Sequence, residues 1–282
     1  MVNFKKIKSF LKQNYPLLTA NYRILHAKKS GCFHHGWGMY TTSINPPWEA
    51  GQEEVSTAFR AAYQKLINKV KNLEFNLTQF SDVFDQESML DELRWRHYFV
   101  FWSAYLAAKR SKKNKLNIVE CGVCDGLTAF LAMTAILNCN RNALSYCYLY
   151  DAWSGMLGNL LLDSELDREG DYAYLEVERT KSNLGDFETY TKFKVGYIPD
   201  VLFSSESPSE LSWLHIDLNS ALATKASLEF FFERITDGGV ILFDDYAWLG
   251  YEATRTEIEK FLADKPGLLL PLPTGQSIFL KD

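Results

Sequence analysis

Cysteine is scarce in this chain: there are five, an odd number, and only Cys121 and Cys124 form a close pair. A structural zinc site would need a second such pair, so none is expected, and the thiols suit a reduced, cytoplasmic setting. Positive charge is also in deficit, with 30 Lys plus Arg against 35 Asp plus Glu and a net charge of -5. That balance argues against a surface that tracks nucleic-acid phosphates. No apolar run is long enough to span a bilayer, so no membrane partner is expected. The basic start, Met1 to Lys8, is followed by Lys12, Gln13 and Asn14, which interrupt any apolar segment before signal-peptide length. At 282 residues the chain can bury a full core without a staple.

What is present is organised around Leu116 to Phe130, which reads as a strand, a glycine loop and the start of a helix. The apolar run closes on Glu120 and then passes Gly122 and Gly126, in the form Glu-x-Gly-x-x-x-Gly. Glycines let the backbone turn sharply and let a ligand approach the main chain. A dinucleotide fingerprint would want three glycines as G-x-G-x-x-G. The loop instead has the form found in class I methyltransferases, which makes S-adenosylmethionine (SAM) the expected cofactor. Glu120, Cys121, Gly122, Val123, Gly126 and Thr128 are its expected contacts. The same loop contains Cys121-x-x-Cys124, so a thiol-redox protein is the rival enzyme class.

After Lys115 strands and helices alternate, which predicts a parallel sheet with right-handed crossovers. Strands are expected at 117–120, 146–150, 193–195, 211–217 and 240–243, with a closing hairpin at 267–271 and 277–280. The expected fold is α/β: a Rossmann-like class I methyltransferase sheet finished by an antiparallel hairpin. Before it, helical periodicity over 53–71 and 87–110 predicts a mainly helical N-terminal extension. The boundary is expected near residue 85, giving an extension or lid over 1–85 and a SAM-binding domain over 86–282. Cys32, His34 and His35 lie in a glycine-rich stretch and read as loop rather than as metal ligands. Trp37, Tyr40, Trp48, Trp95 and Tyr98 are expected to form a lid and acceptor wall, although aromatic residues at helical spacing also make packing faces.

Ligands of such sheets bind beyond the carboxyl ends of the strands, and those ends are acidic here: Glu120, Asp151, Asp217, and Asp244-Asp245. Asp151 follows Gly126 by 25 residues, where an acid can accept both ribose hydroxyls, and Trp153 either lies against the adenine or packs. Asp217, Asp244 and Asp245 would repel one another unless protonated or shared with a cation. Oxygen-only ligands suit a hard ion such as magnesium or calcium, and magnesium, or manganese in its place, is the expected metal.

The run from Leu214 through Asp217 to Gly238-Gly239 and Asp244-Asp245-Tyr246, with Glu-Cys-Gly-Val, Tyr-Asp151-Ala-Trp-Ser-Gly, Gly-Tyr-Ile-Pro-Asp200 and Pro-Thr-Gly-Gln, resembles the macrocin and mycinamicin O-methyltransferase family. The likeness runs from about Asn117 to the C-terminus. It implies magnesium-dependent transfer of a methyl group from SAM to a hydroxyl of a sugar or glycoside, with Asp217, Asp244 and Asp245 as metal ligands. Asp217 is the implied general base, His215 is a second choice, and a homo-oligomer is left open. Catechol-type O-methyltransferases are a weaker match, because they carry Asp-Asn where this chain has Asp244-Asp245. The family's second acid and tyrosine after strand four are replaced by Asn219 and Ala221, which bears on the acceptor and on metal affinity.

Overall fold

The structure, a computed structural model, describes residues 11, 14–15, 46–77, 90–91, 93–204 and 206–282. Cys32, His34, His35, Trp37, Tyr40 and the expected boundary at residue 85 lie outside them.

Seven strands form one sheet: β1 (Leu116–Cys121), β2 (Leu144–Asp151), β3 (Thr191–Val195), β4 (Leu211–Ile216), β5 (Ile235–Phe243), β6 (Gly267–Pro271) and β7 (Ser277–Lys281). Their order is β3-β2-β1-β4-β5-β7-β6; the first five are parallel, while β7 pairs antiparallel with β5 and with β6. This is the expected class I methyltransferase sheet with its closing hairpin. Order reverses between β1 and β4, so the carboxyl ends of those strands open the crevice in which ligands of open α/β sheets bind.

Alternation along each strand feeds two cores. Ile118, Trp213, Val240 and Leu242 face one layer, and Val119, Cys121, Leu214, Ile216, Ile241 and Phe243 face the other. The first layer contains α1 (Glu54–Lys71), α2 (Arg94–Arg110) and α3 (Leu127–Cys139), with buried Phe59, Leu66, Phe101, Ala104, Phe130 and Met133 packed against the sheet. Beyond β2 the chain runs as turns and 3-10 segments through Gly158–Leu160 and Asp163–Arg168 before a short α4 (Val177–Asn183). The second layer is covered by α5 (Ala221–Phe231), capped by the Ser220 hydroxyl on Ala223 N at 3.3 Å, and α6 (Glu252–Leu262).

Trp48, Trp95 and Tyr98 do not line an acceptor wall. Trp48 and Tyr98 are buried, Trp48 meets Trp95 edge-on at 4.7 Å, and Phe59 meets Tyr98 at 5.1 Å. Aromatic area is worth more in such edge-to-face packing than in water, so this group joins the extension to the helical layer.

Candidate active site

The β1–α3 loop is shaped by close approach. Gly122 sits at φ +85°, and a Cβ there would lie 1.8 Å from the Asp217 carbonyl oxygen; only a glycine lets the loop pass the end of β4. Gly126, at φ +87°, starts α3 from the left-handed region. Asp151 fixes the arc between them: its Oδ2 accepts from Val123 N at 2.7 Å and Cys124 N at 2.9 Å, and its Oδ1 accepts from Trp153 N at 2.7 Å. A carboxylate has about four lone-pair sites, so these three donors leave room for one hydroxyl rather than the expected bidentate pair. Burial pushes its pKa up, against the pull of those backbone donors.

Gly122, Val123, Thr128 and Asp151 border a cleft of about 490 Å³, within the size range of small-ligand sites. Four expected cofactor contacts are not in its lining: Gly126, which turns the chain into α3, and Glu120, Trp153 and Cys121. Glu120 is fully buried and in register with His215 on the neighbouring strand; its Oε1 accepts from the Thr128 hydroxyl and lies 2.8 Å from His215 Nδ1. Its other oxygen has no hydrogen-bond partner. Trp153 packs, with Nε1 donating to Cys124 O at 3.1 Å and Thr180 Oγ1 at 2.9 Å, and its ring 5.7 Å from Phe193. Cys121 is fully buried in the second core layer, whereas Cys124 packs on the first. Burial raises both thiols, holding them protonated and away from redox chemistry.

At the ends of β4 and β5 the three acids divide. Asp217 continues the face of Trp213 and His215, and Asp244 that of Val240 and Leu242; Asp245, one residue on, falls to the opposite face with Ile241 and Phe243. Asp245 Oδ2 accepts from Asn219 N at 2.8 Å, and burial with the nearby Asp244 charge pushes its carboxyl up to about 7. Asn219 tolerates φ +54° and also accepts from the Tyr251 hydroxyl. The groups that converge are His215, Asp217 and Asp244, each offering a ligand atom within 4.8 Å of the others.

Into this cluster reaches a residue that the sequence reading did not single out. Arg96 of α2 donates from Nη2 to Asp217 Oδ2 at 2.6 Å, and its Nε lies 2.9 and 3.0 Å from the two oxygens of Asp244. Gln276 Nε2 donates to Asp244 Oδ1 at 2.8 Å. Burial opposes ionisation of Asp244, yet Arg96 and His215 hold it well below the ordinary carboxylate range. Burial and the Asp244 charge push Asp217 the other way, up, with Arg96 pulling back. For His215 burial opposes the charge, but Asp244 and Glu120 outweigh it and raise the imidazole to about 9. A fully buried ring, paired with Glu120 and absent from the cleft lining, is not placed to act as a base toward the cleft. Asp217 borders the cleft and, at 19% side-chain exposure against 1% for Asp244, is the carboxylate an acceptor can reach.

The expected magnesium or manganese triad is therefore not assembled. Asp245 is not among the converging groups, and the two carboxylates that are, Asp217 and Asp244, are bridged by a guanidinium. This donor set does not fit a divalent ion while Arg96 is in place. A sequence signal for Arg96 existed: it is in phase with Val100, Ser103 and Ala107, the buried face of α2, and a buried arginine needs carboxylate partners.

The cleft's outer wall comes from segments that had not been assigned to it: Met156, Leu157, Tyr172 and Tyr174 after β2, and Trp248, Leu249 and Tyr251 after β5. Arg168 ties the two together, donating to Asn219 O at 2.8 Å and to Gly250 O, with its guanidinium 3.8 Å from the Tyr251 ring centre.

No curated protein matches the chain in sequence. Residues 119–246 match a family described as a methyltransferase domain. Among solved structures, the O-methyltransferase NovP superposes with a TM-score of 0.64 at 16% identity, over 80% of this chain and 99% of that one. The calicheamicin methyltransferase CalS11 superposes with a TM-score of 0.51 at 17% identity, over 78% and 91%. At such identities the likeness is one of fold. The matched stretch, residues 119–246, carries β1 to β5 of a sheet with the class I methyltransferase strand order.

Proposed function

We propose that this protein transfers a methyl group from SAM to a hydroxyl of a small-molecule acceptor, a sugar or glycoside. The observation that carries the reading is the position of Asp217, a carboxylate exposed to the cleft and set against the glycine loop at Gly122. The loop at Gly122 and Val123 would hold SAM, with the remaining acceptor site of Asp151 open to one of its hydroxyls. The acceptor enters between Tyr172, Tyr174, Trp248 and Tyr251, whose faces suit a sugar ring or an apolar glycoside. Its hydroxyl proton passes to Asp217 as the oxygen bonds to the methyl carbon and the carbon–sulfur bond breaks, leaving S-adenosylhomocysteine. Holding oxygen, carbon and sulfur in line supplies much of the rate, and proton transfer to Asp217, whose carboxyl burial and the Asp244 charge raise above the ordinary range, supplies the rest. The magnesium or manganese expected from the resemblance would have to displace Arg96 to reach Asp217 and Asp244. That NovP is an O-methyltransferase and CalS11 a calicheamicin methyltransferase supports the reaction class.

The test is calorimetry with S-adenosylhomocysteine, followed by mass spectrometry of sugar nucleotides and glycosides incubated with methyl-labelled SAM. A labelled methyl ether is the expected product. Cofactor binding with label only on nitrogen, carbon or a thiol would overturn the hydroxyl acceptor, and absence of cofactor binding would overturn the whole reading.

A further inference from the structure

Three side chains from distant parts of the chain converge on Asp217 and Asp244. Arg96 bridges the two carboxylates at 2.6 to 3.0 Å, with its own side chain only 9% exposed. Gln276 takes Asp244 Oδ1 at 2.8 Å, and His215 Nε2 stands 3.9 Å from the same oxygen. The rigidity of α2 fixes the guanidinium, since Val100, Ser103 and Ala107 on the same helical face are buried and Ser103 accepts from Trp213 Nε1 of β4 at 2.9 Å. Arginine keeps its proton at all physiological pH and offers a planar fork of donors. A divalent ion entering here would expel that fork and leave a cation buried without its counter-charge, a state that costs several kcal/mol in proteins.

We infer that Arg96 is the resident cation of this site, occupying the position that a divalent ion would need between Asp217 and Asp244, and that methyl transfer here is independent of metal. The inference rests on the proposed methyl transfer for its catalytic meaning, but the occupancy of the site stands by itself. Arg96 is a positioning residue. It keeps its protons throughout, neutralises the paired carboxylates and turns Asp217 toward the acceptor, while Asp217 alone receives the acceptor proton.

The test is a Mn2+ titration of the full chain followed by electron paramagnetic resonance, with and without S-adenosylhomocysteine. The wild-type protein should show no Mn2+ site at sub-millimolar metal that depends on Asp217. Arg96→Ala should open one, binding Mn2+ at least tenfold more tightly than wild type, and the double variant Arg96→Ala with Asp217→Asn should lose it again. Arg96→Lys, which keeps the charge, should exclude the ion as wild type does. Wild-type Mn2+ binding that disappears in Asp217→Asn would overturn the inference, as would a folded Arg96→Ala that gains no site. If Arg96→Ala does not fold, the wild-type titration decides by itself. Failure of the methyl-transfer reading shows separately, in the cofactor calorimetry.

Discussion

The two halves of the cleft are built by different means. On the β1–β2 side the cleft surface is largely main chain: the loop from Gly122, in a left-handed conformation, with Asp151 holding the Val123 and Cys124 amides in an arc. On the β4–β5 side it is a charged side-chain network, Asp217, Asp244, His215, Gln276 and Arg96, drawn from β4, β5, α2 and the chain between β6 and β7. The first half needs only neighbours in sequence and one strand end. The second is completed by an arginine 121 residues before Asp217 and 148 before Asp244. A backbone cradle held from behind by Asp151 offers a cofactor a fixed shape, whereas a side-chain network can hold one carboxylate ionised while leaving another a reactive base.

That division predicts separable variants. Asp217→Asn should reduce turnover by about 10²- to 10⁴-fold, the usual value of a positioned base, while S-adenosylhomocysteine affinity measured by calorimetry stays within a small factor. An equal loss of both would erase the distinction between the halves. Asp151→Ala removes the acceptor of three backbone amides and should weaken cofactor binding by roughly 1.5–3 kcal/mol, the scale of hydrogen bonds to a charged group. Unchanged affinity in that variant would mean that the loop holds its shape without the carboxylate.

The charged half should also respond to pH. The folded state raises His215 to about 9, above the ordinary imidazole value near 6.5. Its contribution to stability is therefore complete below about pH 6.5 and is lost as pH climbs through about 9. Thermal melting should fall across that window in wild type and fall less in His215→Gln; parallel curves would show that the imidazole is not charged in the fold. The smallest effect is expected in the backbone half. Cys121→Ser with Cys124→Ser should leave turnover within about twofold, because the two thiols pack into different core layers and burial keeps both protonated. Activity that required oxidation of the pair would restore the thiol-redox alternative.

Much of the fold was legible in the chain because it is written in short-range patterns. Strand and helix periodicity after Lys115, the turn chemistry around Gly122 and Gly126, and the Pro-Thr-Gly-Gln turn before β7 specify the sheet and its closing hairpin without reference to distant residues. Acids at the carboxyl ends of strands could be read in the same way. Even the parting of Asp244 from Asp245 follows from two-residue alternation, which composition and clustering of acids overlook.

What each acid does was decided by tertiary structure. Glu120 and His215 are 95 residues apart, and only the pairing of β1 with β4 makes them partners and removes both from the cleft. Trp95 and Tyr98 have the spacing of one helical face, and their packing with Trp48 and Phe59 puts them in or against the core of the helical layer rather than on an acceptor wall. The sequence by itself determined a class I methyltransferase sheet with acids at its ligand-binding edge. Whether those acids share a metal or a guanidinium depended on where α2 packs, because electrostatic neutralisation acts through space at about 3 Å and leaves no spacing rule along the chain.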